Sequence, residues 1–563
     1  MKKALILALL LVVLGIFGAY QAIQPPAPPP SQAFVNGTVI TMDGTRPLAE
    51  AVLLEGDRIQ AVGTTSEIQA LAAADTVIHD LQGKTLLPGF IDAHGHFPGS
   101  GLNAIALNLG SPPIGNINSM AQLLAMVEHK ANSVEGGEWV MGVGYDDTLL
   151  QEKRHPTRAE LDTVAPNHPV VLIHTSGHLA VANSKALEVA GIDENTPNPE
   201  GGVYVKDETG RLNGLLEETA AMDLQLQAAD IGPREFLSMV EFAAAEYASQ
   251  GVTLAQSGAT TKEAALGLSM ASHLGLIGFR LEIWPMYDLW GEELLQKPDS
   301  VALYENDRVN VGAIKIVADG SIQGYTGYLS KPYHAPFHDD EAYRGYPRIP
   351  RDQLFEWVEK FHAAGMQMAI HGNGDAAMDD IIAAFTEAQR KHPDTDPRLI
   401  LIHAQMARDD QLAAMKELGI TPSFFSTHTY YWGDRHRDIF MGPERAANMS
   451  PARSALDIGL PFTIHLDTPV VPMSPLMGVW STVNRQTRSG QVLGEHQRIP
   501  VLDALRAVTL DAAWQIFREK DLGSIEPGKL ADLVVLNENP LENPATIKDI
   551  QVEQTYVGGV RIY

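Results

Sequence analysis

The chain has 563 residues, 45% hydrophobic and 20% charged, ordinary proportions for a folded protein long enough to bury more than one core. Its 41 basic residues against 69 acidic ones leave a net charge of −28, a field that repels phosphate backbones and argues against nucleic acid as a partner. There is no cysteine, so disulfides, thiolate metal sites and cysteine nucleophiles are excluded, and any metal must be held by nitrogen and oxygen.

In chain order, two lysines and an uncharged apolar run from Ala4 to Tyr20 come first, the pattern of an export signal. The run approaches the ~20 residues that span a bilayer, and Ala19–Ala22 is its only, weak, cleavage candidate. Residues 1–23 therefore read either as a signal peptide or as a single-span membrane anchor. The proline-rich linker at 24–32 is a stiff spacer. Both readings put the folded part in the periplasm or another extracytoplasmic space.

Short β-like pieces follow, "AFVNGTVITMD", "EAVLLEGDRIQAVG" and "DTVIHDLQGKTLLPG", and the style returns at the C-terminus in "GSIEPGKLADLVVLNENP" and "IQVEQTYVGGVRIY". We expect the two ends, 33–87 and 518–563, to pair into one small composite β-sandwich domain. Between them, amphipathic helices end on a glycine and lead into a buried strand, as in "PREFLSMVEFAAAEYASQG" before "VTLAQS", "RDQLFEWVEKFHAAG" before "MQMAIHG" and "RDDQLAAMKELG" before "ITPSFF". That unit marks a parallel α/β protein. Candidate strands end near His94, His174, Gln256, Trp284, Lys315, His371, His403, Phe424 and Asp467. This is one more than a (β/α)8 TIM barrel needs. We expect a barrel over 88–517, with an insertion at about 98–225 that carries the extra strand "PVVLIHTSGH". A doubly wound sheet is the second choice.

Five strand ends carry chemistry: His94 with His96, Lys315, His371, His403 and Asp467. Barrel active sites form where the C-terminal strand ends converge, and strand alternation would turn His94 and His96 to the same side. Each of His371 and His403 is the first polar residue after a buried apolar run. A lone histidine there is an ordinary core residue; several such ends with an acid are a ligand set suited to Zn, Mn or Fe-type ions.

These segments resemble the amidohydrolase superfamily, in particular its YtcJ-like branch (amidohydrolase family 3), which includes N-substituted formamide deformylases. The matching stretches are "LLPGFIDAHGHF", "HTSGHLAVANSKAL", "GAIKIVADGSIQG", "AIHGNGDAA", "LIHAQ", "HLDTPV" and "GSIEPGKLADLVVL", in family order across nearly the whole mature chain. The resemblance implies that His94, His96 and Asp467 bind a first divalent metal, His371 and His403 a second, both Zn(2+), and that a carbamylated Lys315 bridges them. A lysine between two cations is driven neutral, and its free amine can add carbon dioxide; the alternative is a Lys315 that packs along the barrel or pairs with Asp319. The parts imply a metal-dependent hydrolase in which a metal-activated hydroxide attacks an amide-type carbonyl and Asp467 acts as base, then acid.

The resemblance also implies substrate contact for His178 on the insertion. Asp319 and Ser321 either orient Lys315 or serve a turn. Tyr325, His428 and Trp432 are candidate substrate contacts, the last two in an aromatic stretch with Tyr431. His465, and "SIQGYTGYLSKPYH" where relatives carry an arginine, depart from the usual pattern. The expected partner is a small amide, N-substituted formamide or cyclic amide, with oligomeric state open. An esterase or lactonase on the same site, and a non-catalytic tethered metal-binding protein, are the alternatives. A deaminase is disfavoured because Ala404-Gln405-Met406 follows His403 where deaminases carry a glutamate.

Overall fold

The computed structural model describes residues 27–228, 231–337 and 339–563. The segment 1–23 and the start of the 24–32 linker lie outside the described residues. Among the described residues, no helix is long and apolar enough to cross a membrane.

The protein is a mixed α/β fold whose centre is parallel. Strands Phe90–Ile91, Val252–Thr260, Arg280–Pro285 and Val309–Val311 form one parallel sheet. Ile314–Val317, Met368–Gly372, Leu399–His403, Ile420–Phe424 and Thr463–Ile464 form another. The two meet at residues 309–317, where Gly312 and Ala313 interrupt the run between strands. At the far side no ladder joins the Thr463–Ile464 strand to Phe90–Ile91 among the described residues; the Asp467 N–H reaches the His94 carbonyl (3.2 Å) and the His96 N–H the Thr468 carbonyl (2.8 Å).

The central strands are buried on both faces, which is why their sequences read as continuous apolar runs rather than alternating ones. Each fully buried aliphatic side chain contributes about 1.5–3 kcal/mol, enough to carry the polar residue that ends each run. The expected helices are present as Pro233–Ser249, Arg351–Ala363 and Asp409–Leu418. Gly251, Gly365 and Gly419 follow them with φ of +79°, +69° and +71°, the left-handed turn that redirects the chain into the next strand.

Two further features frame the centre. Residues 107–218 supply a separate six-stranded sheet that includes Val170–His174, so the surplus strand of the sequence does not belong to the parallel sheets. Leu533–Leu536 pairs antiparallel with Thr85–Pro88, placing segments from the early and late parts of the chain in one sheet. Pro88 still pairs with Leu533 while Phe90 pairs with Val252, so the chain passes from one sheet to the other across Gly89. A Cβ on Gly89 would meet Thr253 Cγ2 at 2.2 Å, so no larger residue fits that crossing.

Candidate active site

The first strand stops at Ile91, so His94 and His96 lie beyond it. This corrects the expectation of alternation along a strand. The chain leaves the sheet at the buried Asp92, whose side chain lies against the His94 backbone. Burial, with Asp467 nearby, pushes the Asp92 carboxyl up to about 8, so it is neutral at pH 7. The two imidazoles still converge, held by the bonds to residues 467 and 468 described above. Gly258 permits this, since a Cβ there would stand 2.4 Å from His94 Cε1.

At the centre is Asp467. Its Oδ1 lies 3.4 Å from His94 Nε2 and 3.1 Å from His96 Nε2, and its Oδ2 lies 4.0 Å from His403 Nε2. Oδ1 is buried and makes no hydrogen bond, although two ring nitrogens face it. Buried carboxylate oxygens are rarely left in that state. One donor atom from each of His94, His96 and Asp467 falls within 4.8 Å of the others, a set that fits a divalent metal. Lys315 Nζ is 3.1 Å from His94 Nε2, and burial pulls its ammonium down to about 7, so much of it is free amine at neutral pH.

Strand register brings the second pair together. Gly372 pairs with His403, so His371 and His403 occupy neighbouring strand ends with ring centroids 4.4 Å apart. Burial holds His94, His371 and His403 well below the ordinary histidine value, hence neutral, the form that ligates a cation. The Asp467 carboxyl is held well below the usual range, against burial, chiefly by the contact with His96. His403 and Asp467 both have left-handed backbones, φ +71° and +56°. Such strain costs of order 1–3 kcal/mol per residue and collects at functional sites.

Each ring is oriented by a neighbour that sequence reasoning missed. His94 Nδ1 bonds Gln256 Oε1 at 2.8 Å, His371 Nε2 faces the Gly320 carbonyl at 3.3 Å, and His403 Nδ1 bonds His465 Nε2 at 3.1 Å. His465 in turn bonds Ser423 Oγ at 2.9 Å, so the unusual residue before Asp467 supports His403. Gln256 was legible only as the end of a strand, since an amide carries no metal-ligand signature of its own.

A family model described as the amidohydrolase family matches residues 77–563. The chain belongs to the amidohydrolase family. An N-substituted formamide deformylase from Arthrobacter pascens is 31% identical, aligning over 94% of this chain and 97% of that protein. An uncharacterized metal-dependent hydrolase from Pyrococcus horikoshii OT3 shares the fold, with a TM-score of 0.72, 24% identity, and coverage of 92% of this chain and 99% of that one. A second, from Pyrococcus furiosus, gives a TM-score of 0.69 and 25% identity over 91% of this chain and 100% of that one. This amidohydrolase is thus a hydrolase of the class that acts on carbon–nitrogen bonds.

A cavity of about 370 Å³ opens on the site, with His96, Lys315, His371, His403 and Asp467 in its wall. The rest of the wall is largely apolar and comes in good part from the inserted sheet and its flanks: Leu102, Ile114, Val143, Ile173 and Met222. His178 lines it, with Nδ1 2.7 Å from Glu218 Oε2 and its ring 5.1 Å from that of His371.

The other four expected substrate contacts do not line this cavity. Asp319 accepts the backbone N–H groups of Tyr328, Asn373 and Gly374 at 2.8–2.9 Å, which makes it a loop anchor. Tyr325 stacks on Phe337 and packs against Tyr333 and Phe440. His428 is buried against Phe425, and Trp432 donates its Nε1–H to Asp146 at 3.2 Å. The aromatic stretch is packing that braces the inserted segment.

Proposed function

We propose that this amidohydrolase is an exported enzyme that hydrolyses the C–N bond of a small amide, an N-substituted formamide or a cyclic amide. The observation that carries the reading is the buried, unpartnered Asp467 Oδ1 facing two imidazole nitrogens beside the buried Lys315. His94, His96 and Asp467 would hold one divalent metal and His371 and His403 a second, with Zn(2+) suited to nitrogen and oxygen donors of this kind. Lys315, carbamylated on its free amine, would bridge them. When bound, the metals lower the pKa of a water towards ~7 and polarise the scissile carbonyl.

The chain's own residues supply the proton path. Asp467 takes the proton of the attacking water and delivers it to the departing nitrogen, so that a poor amide leaving group departs as a neutral amine. His178, oriented by Glu218, presents its remaining nitrogen to the cavity beside His371. The apolar wall suits a hydrocarbon or aryl substituent, in keeping with the name of the Arthrobacter relative.

The same reading gives the architecture: a (β/α)8 barrel over 88–517, with the 309–317 run as one bent strand, and a composite β-sandwich from 33–87 and 518–563. The apolar N-terminal run supports export to the periplasm, as signal or anchor. Zinc-loaded protein should release amine from N-substituted formamides faster than it cleaves matched esters. Bound metal with no turnover on any amide or ester would instead favour a binding protein. Crystallographic density for an unmodified ammonium at Lys315 would remove the carbamate bridge.

A further inference from the structure

We propose that Trp284 is a positioning residue for the first metal position: its indole face sets the plane of the His94 ring and favours the form of that ring that carries a metal. The inference rests on the reading of His94 as a ligand. The two rings are stacked, with planes 12° apart and centroids 5.5 Å apart. His96, His465 and His403 also approach His94, at 5.0, 5.3 and 5.9 Å, but nearly edge-on, with planes at 71–76°. The flat support of His94 is therefore the indole.

Strand register explains the arrangement. Gln256 pairs with Glu282 across the parallel strands Val252–Thr260 and Arg280–Pro285. Trp284 stands two residues further along, on the same side as Glu282. The two strands thus present an amide to the edge of His94 and an indole to its face. Gln256 Oε1 lies 2.8 Å from His94 Nδ1. One hydrogen bond fixes one point of a ring and leaves it free to swing about that bond. A stacked plane removes the swing.

Two observations separate this contact from ordinary packing. First, Trp284 is fully buried, yet its Nε1 has no hydrogen-bond partner. Its core neighbours are apolar, with Ile91, Leu254, Ala369, Ile400 and Ile402 coming from both parallel sheets. An aliphatic side chain would fill that space without burying an unpaired donor. Second, the backbone makes room for the indole. A Cβ on Gly312 would stand 3.4 Å from Trp284 Nε1 and 1.9 Å from Glu282 Oε1. What the indole adds against these costs is its face.

Electrostatics gives the direction of the effect. A histidine that holds a divalent cation carries part of its positive charge, and the electron-rich face of indole attracts positive charge within about 6 Å of its centre. The neutral, metal-free ring gains less from the same contact. The stack therefore strengthens metal binding as well as orienting the ligand.

The test uses the full chain, stripped with chelator, then titrated with Zn(2+) against a competing chelator and with Co(2+) while tryptophan fluorescence is followed. Trp284→Leu should lower zinc affinity about tenfold, and Trp284→Phe, which keeps a flat ring, should retain most of it. Co(2+) quenches a nearby indole where Zn(2+) does not. It should quench wild type strongly, and Trp284→Phe should remove most of that quenching although the other tryptophans of the seven remain. Zinc affinity that falls equally in Trp284→Leu and Trp284→Phe, or stays at the wild-type value in both, would overturn the proposal. So would equal Co(2+) quenching in wild type and Trp284→Phe, and this comparison decides the outcome if Trp284→Leu does not fold. His94→Ala separates the two readings. If it weakens cobalt binding while Trp284→Leu does not, the stacking inference alone fails; if it leaves cobalt binding unchanged, His94 is no ligand and both fail.

Discussion

Gln256→Leu separates ring orientation from ligation at the first metal position. Gln256 Oε1 takes the His94 Nδ1–H at 2.8 Å, which keeps Nε2 free of a proton and pointed at Asp467. Leucine has nearly the same bulk but no acceptor, so the buried N–H loses its partner, at a cost of about 1–3 kcal/mol. The ring can escape that cost by moving its proton to Nε2, and there it competes with the metal. Either way the loss falls on binding, and 1.4 kcal/mol is a factor of ten, so zinc affinity should drop about ten- to hundredfold. The other bond of Gln256, Nε2 to the Ala93 carbonyl at 3.1 Å, is backed by Gln515 Nε2 at 2.8 Å, which keeps that carbonyl satisfied. Competition against a chelator of known affinity measures the change, with thermal melting as the folding control. A folded Gln256→Leu that binds zinc as tightly as wild type would refute the claim that His94 is a ligand oriented through Nδ1.

Three further outcomes follow from the same geometry. Glu282 is buried in the Arg280–Pro285 strand, and burial lifts its carboxyl from 4.5 to about 8. The folded state therefore binds this proton more tightly than the unfolded one, so its stabilisation is full below about pH 4.5 and is lost as pH rises through 8. At about 1.4 kcal/mol per pK unit the swing is at most about 4–5 kcal/mol, and Glu282→Gln should flatten the fall in melting temperature from pH 5 to 9; an unchanged slope would contradict the assignment. Ile173→Trp fills the apolar wall and should raise KM at least tenfold for amides with aryl substituents while sparing the smallest formamides; uniform loss across sizes would show that this wall does not read the substituent. Gly258→Ala drives a methyl group against His94, and the expected drop in metal content should exceed the drop in melting temperature; metal content equal to wild type would mean that His94 is free to move.

The histidines proposed as ligands were legible where a polar group ends an apolar run, as at His371 and His403, whereas Lys315 sits inside the Ile314–Val317 strand rather than at its end. The helix–glycine–strand rhythm was legible on the same grounds, since Gly251, Gly365 and Gly419 are where the backbone takes a positive φ. The turn after Ile91 was not, because it depends on Asp92 lying against the His94 backbone rather than on any periodicity. Gln256, Glu218 and His465 act through single hydrogen bonds between segments 40 to 162 residues apart, which no local pattern records. The aromatic stretch around His428 and Trp432 misled for a related reason. Composition cannot tell a substrate wall from a brace, and only the bond from Trp432 to Asp146 shows which it is.

The central claim is tested most directly by Asp467→Asn, with turnover and metal content measured on the same preparation. Removing the proton carrier while keeping a neutral oxygen donor should lower amide turnover by about 10²–10⁴-fold and leave most of the zinc in place. Turnover equal to wild type would contradict the account, because no proton path through Asp467 would then be needed.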